Sequence, residues 1–485
     1  MEFSSSMPWL VSVPVRPGGF TALCPEDAAH DVVTDLAAIS PFDVPESADG
    51  HDCVMADLQL TPDTQVPRRL GSGRAGYRRG AYLKGIGRTL LAGNWDRSSD
   101  AYHATGHMFA SAAVREYLVT CYLRAKGGAH LIVPCTGLLV RRMSPELTAA
   151  IGRFEQRLPV RLAPMDRTLQ GITVKPADFA RFSNFAWGAT HLSPVPPRIA
   201  DIAFLLEYYA QDPDIRRAPL RCAPSSVAAA LDAAVNRAVT SILDYPRFGV
   251  FWGSFHNNFA LDGRFLDLEL ATICGSNFVG CFAGVTDASD SSATPRNCTL
   301  IGTELLDYLH HVRAMVDHLL LRLDYVARYC TETMTSEFLR QLRVEIDRRF
   351  DHTHVIRDER RQVDLLITAY VELGCKPSTI RRVLHSPWAA RPTHERPDLG
   401  LVPCGSRVAR AEPTRRAVLY RATALRGAAS PRLDPEAEQI NAWLLELDEM
   451  GDVDSLLDRI RDIEGRIARQ VRALRQPVAE ASGPC

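Results

Sequence analysis

Hydrophobic residues recur at helical spacing through the C-terminal half of the chain. Between Thr303 and Tyr329 the apolar residues follow steps of three and four, which place their side chains on one face of a helix. The same spacing recurs in five neighbouring segments, so residues 161–386 are predicted to form a mostly helical lobe. The predicted helices span residues 198–211, 225–243, 303–329, 335–349, 359–373 and 377–385.

Two more helices are predicted in the C-terminal extension, residues 434–485. They span 435–449 and 453–475, and the second carries apolar residues in alternating steps of three and four from Val453 to Leu474. Such a stripe is typical of a helix that packs against another helix, either in its own chain or in a partner or second copy. Residues 387–433, rich in Pro, Arg and Gly without periodicity, are predicted to be a linker.

The N-terminal part has a different pattern. Residues 1–53 show little periodicity and are predicted to form an irregular arm. Residues 54–160 combine short apolar runs with one helical pattern, which predicts a smaller lobe built of strands and one helix. Tyr82 to Lys84 has the pattern of a strand, and the apolar run Leu131 to Val140 that of a buried strand. The predicted fold class of the chain is therefore α+β.

Composition excludes several classes of partner. The 56 basic and 57 acidic residues nearly cancel, and a nucleic-acid-binding protein would normally show a basic excess. We find no secretory leader and no apolar run of about 18 residues, so no membrane partner is expected. The twelve cysteines are scattered without a Cys-x-x-Cys pair, which favours free thiols in a reducing cytoplasm.

Lysine is rare in this chain. The 56 basic residues comprise 52 arginines and four lysines, Lys84, Lys126, Lys175 and Lys376. Where arginine serves most needs for a cation, a retained lysine indicates a need for the compact ammonium group. Each lysine is therefore a candidate for a specific ionic contact.

A glycine-rich segment precedes the strand that carries Lys84. Gly71 and Gly73 would let backbone N–H groups approach a phosphate, and Arg74 adds positive charge. An ordinary glycine-rich turn explains the same residues. Glu116, on the predicted helix after this strand, is either a solvated surface charge or the ionic partner of Lys84.

The segment from Phe255 to Glu269 has the pattern of a short hairpin with a turn at Asp262–Gly263. Asn258 and Asp267 are nine positions apart on its opposite strands, so their side-chain oxygens can point at one cation. Mg²⁺ is usually held by one or two carboxylates together with substrate phosphates. The alternative is that these residues serve only as turn formers.

Three separated segments combine these candidates in one order. They are Leu83-Lys-Gly-Ile-Gly-Arg-Thr89, Val114-Arg-Glu-Tyr-Leu118 and the interval from Asn258 to Asp267. Together they resemble the nucleotide-site motifs of the selenoprotein O family of protein-kinase-like adenylyltransferases. The resemblance covers roughly residues 70–275, which is somewhat under half of the chain.

This resemblance implies a two-lobed protein-kinase-like fold, in which residues 54–160 form the nucleotide-binding lobe and residues 161–386 the helical lobe with the metal-binding loop. It also implies that the protein binds ATP and Mg²⁺ and transfers AMP to a protein hydroxyl group. It implies that Lys84 contacts the nucleotide phosphates, that Glu116 pairs with Lys84, and that Asn258 and Asp267 bind the metal. The further nucleotide contacts that it implies are Gly71, Gly73, Arg74, Arg161 and Arg181.

The chain departs from the family at the proposed catalytic position. Asn257 stands where the family has an aspartate, and a neutral amide cannot accept the proton of an attacking hydroxyl. The imidazole of His256 either replaces that base or forms a structural hydrogen bond. Glu269 adds a carboxylate close to the metal-binding motif.

Three functions are compatible with these residues. The first is an ATP- and Mg²⁺-dependent nucleotidyltransferase that acts on an unknown protein or small-molecule acceptor. The second is a phosphotransferase or tailoring enzyme that uses ATP on a small molecule. The third is a pseudokinase scaffold that binds nucleotide without chemistry and recruits a partner through its C-terminal helices.

Overall fold

A computed structural model of the chain provides the structural description. It describes sixteen main segments and a few isolated residues between them. These segments are residues 10–15, 21–23, 52–57, 75–78, 81–86, 107–143, 168–176, 223–244, 250–251, 258–260, 262–269, 271–273, 295–331, 333–353, 359–372 and 452–475.

Strands predominate in the first part of the described chain, and helices in the second. The strands are β1 Leu10–Val15, β2 Thr21–Leu23, β3 Asp52–Asp57, β4 Ala75–Arg78, β5 Ala81–Lys84, β6 Met108–Phe109, β7 Gly137–Arg142, β8 Leu169–Pro176, β9 Val250–Phe251 and β10 Thr272–Ile273. The helices are α1 Ala110–Lys126, α2 Pro224–Asp244, α3 Pro295–Tyr329, α4 Thr333–Thr353, α5 Glu359–Glu372 and α6 Val453–Arg475.

Eight of the described strands form one antiparallel sheet. Seven of them follow the order β1-β3-β4-β5-β8-β7-β2, and β6 also pairs with β8. Two of these strands, β1 and β2, lie within residues 1–53, where the sequence predicted an irregular arm. That prediction is wrong for Leu10–Val15 and Thr21–Leu23, because β-ladder hydrogen bonds to β3 and β7 stabilise extended structure that local periodicity does not reveal.

Helix α1 packs closely on the centre of this sheet. Gly171 of β8 permits the contact, because a Cβ atom at that position would lie 2.4 Å from the Cβ of Ala113. The helix ends where Gly127 adopts the left-handed conformation, with φ of 86°, and its N–H caps the last turn. Every residue of α1 from Ala110 to Leu123 is buried, so this helix lies in the core.

Helices α2 to α5 form the second part of the described core. Helix α3 packs against α4, α2 and α5, and α2 also contacts α4 and α5. Among the described helices, α2 alone is long and apolar enough to cross a membrane by length and composition, and half of that apolar stretch is buried within the fold. Its packing against three helices is that of a core helix.

A hairpin that follows α2 in the chain lies between the sheet region and α2. Phe259 and Phe265 pair across it, and the Phe265 N–H donates to the carbonyl of Leu131 at 2.9 Å. At its turn Gly263 has φ of 81°, and a Cβ atom there would lie 2.3 Å from the carbonyl oxygen of Ala234 in α2. The predicted hairpin is thus confirmed from Asn258 onwards, and it lies against both α2 and the segment before β7.

Most helices predicted within the described segments are confirmed. The predictions at 225–243, 303–329, 335–349, 359–373 and 453–475 correspond to α2, α3, α4, α5 and α6. The strand predicted from Leu131 to Val140 begins only at Gly137. Ala129–Leu131 forms a 3-10 turn, and the backbone of Leu131 and Val133 bonds to Phe265 of the hairpin instead of to the sheet. The predictions at 198–211, 377–385, 387–433 and 435–449 lie outside the described segments, apart from single residues.

Candidate active site

Lys84 is surrounded by carboxylates at the end of β5. Its Nζ lies 3.5 Å from Glu116 Oε2 and 3.3 Å from Glu269 Oε2, and it also bonds to Asp267 Oδ1. The lysine side chain is only 7% exposed, so these charges interact with little screening by water. The three acidic partners come from α1 and from the end of the hairpin, which are distant in sequence.

Glu116 is held on several sides. Lys175 Nζ lies 2.5 Å from its Oε1, and the Thr173 hydroxyl donates to its Oε2 at 3.0 Å. The backbone N–H of Leu268 donates to Oε1 at 3.3 Å. These contacts, together with Lys84, fix the carboxylate between the sheet and the residues that follow the hairpin.

The charge state of Glu116 follows from this environment. Burial alone would raise its pKa, but the ammonium groups of Lys175 and Lys84 outweigh burial. The pKa of Glu116 therefore lies below its ordinary value, and the side chain is a carboxylate at neutral pH.

Asp267 has an unusual backbone. Its φ is 62°, and it is the one residue other than glycine with a positive φ in the described segments. Aspartate tolerates this conformation better than most residues, yet it still costs conformational energy. Backbone strain of this kind concentrates at functional sites, which makes Asp267 a candidate for a functional role.

Asn258 lies across the hairpin from the residue next to Asp267. Its carbonyl accepts the N–H of Leu266 at 2.8 Å, and the asparagine is 7% exposed. The hairpin therefore places Asn258 opposite Leu266, the residue that precedes Asp267. Among the described residues, no group of three or more His, Cys, Asp or Glu is arranged to hold a metal by itself.

The net charge of the cluster bears on what it can bind. Three carboxylates, Glu116, Asp267 and Glu269, face two ammonium groups, Lys84 and Lys175. One negative charge is therefore in excess, which suits a cation that shares its remaining ligands with an anionic substrate. Mg²⁺ binds in this way, since it uses one or two protein carboxylates and completes its shell with phosphates and water.

Four of the predicted site residues lie within the described segments: Lys84, Glu116, Asn258 and Asp267. The structure joins the first two to Asp267 by ionic contacts and places Asn258 on the hairpin beside it. The other predicted site residues lie outside the described segments. They are Gly71, Gly73, Arg74, Arg161, Arg181, His256 and Asn257.

The sequence predictions did not assign Lys175 and Thr173 to the site. They lie two positions apart on β8, where Thr173 pairs with Lys84 and Lys175 with Tyr82 of β5. Residues two apart share one face of a strand, so both side chains point toward α1. The rarity of lysine in the sequence could have identified Lys175 as a site residue. Two of the four lysines, Lys84 and Lys175, contact Glu116.

No protein-family model, no curated protein and no solved structure matches this chain. The candidate site therefore rests on its own geometry and on the motifs of the sequence.

Proposed function

We propose that this protein is an ATP- and Mg²⁺-dependent, kinase-like nucleotidyltransferase that transfers AMP to a hydroxyl or other nucleophile of a protein or small molecule. The observation that carries the proposal is the convergence of Lys84, Glu116 and Asp267, which the motif resemblance had selected from distant parts of the chain. The two-lobed protein-kinase-like fold and a cytoplasmic location belong to the same proposal.

Each residue has a defined role in this proposal. Lys84 binds the nucleotide phosphates, and Glu116 keeps the ammonium in place through its own contacts with Lys175 and Thr173. When phosphates replace Asp267 as the partner of Lys84, the carboxylate of Asp267 is released for a cation. Asn258 would supply a neutral oxygen ligand from the other side of the hairpin.

The proposed reaction is an in-line displacement at the α-phosphorus of ATP. The acceptor oxygen forms a bond to that phosphorus, the bond to the β-phosphate oxygen breaks, and pyrophosphate leaves. Bound Mg²⁺ would neutralise charge on the phosphates. The acceptor proton requires a base, and His256 is the imidazole that precedes Asn257 in sequence.

Stability alone does not account for this cluster. A buried ion pair is often no more stabilising than apolar residues of the same volume, because removing charges from water is costly. Here five charged side chains, Lys84, Glu116, Lys175, Asp267 and Glu269, lie together in a largely buried region. A requirement to bind charged ligands explains why ionic groups occupy this region.

A second candidate function is a nucleotide-binding pseudokinase scaffold. The observation that favours it is Asn257, which lacks the basicity of the aspartate found at this position in the resembling family. Both functions require nucleotide binding, so the first experiment tests binding and the second tests chemistry.

The binding experiment compares two aspartates of one hairpin. We expect ATP with Mg²⁺ to raise the unfolding temperature of the wild-type protein, since a ligand at about 100 times its Kd stabilises by about 2.7 kcal/mol. The Asp267→Ala variant should lose this shift. Asp262→Ala is the matched control, because Asp262 contacts Arg264 at the turn and should leave the shift intact. Equal shifts in the two variants would contradict the proposed site.

The chemical experiment uses ATP labelled separately at the α- and γ-phosphates. Transfer of α-label to an acceptor indicates AMP transfer, whereas transfer of γ-label indicates a phosphotransferase. Nucleotide binding without transfer of either label, across protein and small-molecule acceptors, would favour the pseudokinase scaffold.

A further inference from the structure

The C-terminal helix α6 packs along α1, the helix that carries Glu116, and also touches β7. Its apolar stripe is buried in this contact, so of the two alternatives left by the sequence pattern the helix packs within its own chain. The buried residues of the stripe are Leu456, Ile460, Ile463 and Ile467, and the adjacent Leu457 is also buried. Helix α6 is therefore part of the core around the candidate site.

The start of α6 is defined by its own capping residue. The Asp452 carboxylate accepts the backbone N–H and the hydroxyl of Ser455, both at 2.9 Å. The same side chain lies 3.0 Å from Arg142 at the end of β7. These contacts define the first turn of α6 and place it beside the end of β7.

Glu464 forms the polar contact between the two helices. The Tyr117 hydroxyl donates to Glu464 Oε2 at 3.0 Å, and the Cys121 thiol lies 3.8 Å from Oε1. Burial, followed by the nearby Cys121 and Glu464, raises the pKa of Tyr117 far above its ordinary value. The phenol is therefore protonated at neutral pH and can donate this hydrogen bond.

Tyr117 directly follows Glu116 in α1, and the two side chains point in different directions. Glu116 contacts Lys84, Lys175 and Thr173 on the sheet side, whereas Tyr117 contacts Glu464 of α6. A rotation or shift of α1 would therefore break both sets of contacts together. In this way the position of α6 is coupled to the position of the Glu116 carboxylate.

We propose that α6 holds α1 in the orientation that pairs Glu116 with Lys84, and that Glu464 is a positioning residue acting through Tyr117. Its effect on nucleotide binding rests on the proposed function, whereas its effect on α1 does not. Loss of the Tyr117–Glu464 contact would therefore loosen the Lys84–Glu116 pair.

The test uses variants of the full-length protein and two measurements. Glu464→Ala removes the acceptor, Glu464→Gln retains an acceptor oxygen, and Tyr117→Phe removes the donor while keeping the ring. Asp458→Ala is the matched control, because Asp458 is an exposed carboxylate of the same helix that pairs with Arg461. Hydrogen exchange reports on α1, and equilibrium binding reports the Kd for ATP with Mg²⁺.

We expect Glu464→Ala and Tyr117→Phe to speed amide exchange in α1 and to weaken nucleotide binding, each by about tenfold, as for the loss of a hydrogen bond to a charged group. Glu464→Gln should restore both properties to within about twofold of wild type, because its amide oxygen still accepts the phenol. Circular dichroism of each variant should show an unchanged helix content.

Two results would overturn the inference. One is the same exchange rate in α1 for Glu464→Ala and Asp458→Ala. The other is an unchanged Kd in Glu464→Ala when α1 exchanges faster and the wild type binds nucleotide. If the wild type does not bind nucleotide at all, the proposed function fails, and the exchange data alone decide whether α6 positions α1.

Discussion

Lys175 accounts for the low pKa of Glu116 more than any other cation does. Its ammonium lies 2.5 Å from Glu116 Oε1, and both side chains are almost fully buried. This contact leaves the second carboxylate oxygen for Lys84 and Thr173. Lys84 can therefore exchange partners with a ligand while Glu116 remains neutralised.

We predict that Lys175→Met lowers the free energy of unfolding by about 3 to 5 kcal/mol at pH 7, because it leaves a buried carboxylate with one cation fewer. The pKa of Glu116 in the wild-type fold lies below its ordinary value of 4.5, so its stabilising effect is present above that pH and is lost as the pH falls. The difference in the free energy of unfolding between Lys175→Met and wild type should therefore become smaller below pH 4.5. Urea unfolding at pH 4 and pH 7 measures it.

Lys126→Met is the control for this prediction. Lys126 lies 5.5 Å from the Tyr122 ring centroid at the end of α1, and a cation–π contact contributes about 0.5 to 1 kcal/mol at an exposed site. Lys126→Met should therefore lower the free energy of unfolding only slightly, and by nearly the same amount at both pH values. Equal losses for the two lysine variants at both pH values would show that the Lys175–Glu116 contact is not strong.

At the scale of elements, the hairpin sets the position of the proposed metal ligands. It pairs with Leu131 and Val133 on one side, and its turn rests on α2 on the other. The side chain of Asp267 reaches Lys84 from this hairpin, and the backbone of Leu268 reaches Glu116. The site is consequently assembled where the sheet, α1 and the hairpin meet.

We predict that Gly263→Ala destabilises the protein by more than about 2 kcal/mol, since it combines a positive φ with a clash in a packed contact. A Cβ atom there would lie 2.3 Å from the Ala234 carbonyl oxygen and 2.8 Å from the Ala238 nitrogen. Gly152→Ala is the control, because no atom lies within 4 Å of the new Cβ atom. Without a clash, Gly152→Ala should change the free energy of unfolding by no more than about 1 kcal/mol.

Urea unfolding of the two glycine variants measures this difference. If the proposed function holds, Gly263→Ala also weakens nucleotide binding, because the displaced turn moves the segment that carries Asp267. A Gly263→Ala protein as stable as Gly152→Ala would show that the turn is not packed against α2.

The whole molecule carries almost no net charge near neutral pH. Its formal net charge is −1 at pH 7, and the isoelectric point is about 6.9. Molecules without net charge repel one another least, so association is favoured there.

We predict that solubility has its minimum close to pH 7 and rises several-fold toward pH 8.5, where the protein becomes more negative. The concentration that remains in solution after equilibration with a fixed amount of precipitant, at pH 6, 7 and 8.5, measures this property. Addition of salt should reduce the difference, because it screens the charges. A minimum at pH 8.5 would contradict the prediction.

The sequence by itself determined most helices and the hairpin turn of the described segments. Helical spacing predicted α2 to α6, and the Asp262–Gly263 turn predicted the hairpin, because both depend on residues close together in the chain. It also selected Lys84, Glu116, Asn258 and Asp267 as candidates, through motifs whose order and intervals can be read directly.

The tertiary structure alone decided which of these residues meet. The contacts of Lys175 with Glu116 and of Glu464 with Tyr117 join residues that are 59 and 347 positions apart. Pairing with β3 and β7 also forms strands β1 and β2 in a segment without periodicity. Such contacts depend on the register of a strand or the docking of a helix, which are set by packing across the whole molecule rather than by neighbouring residues.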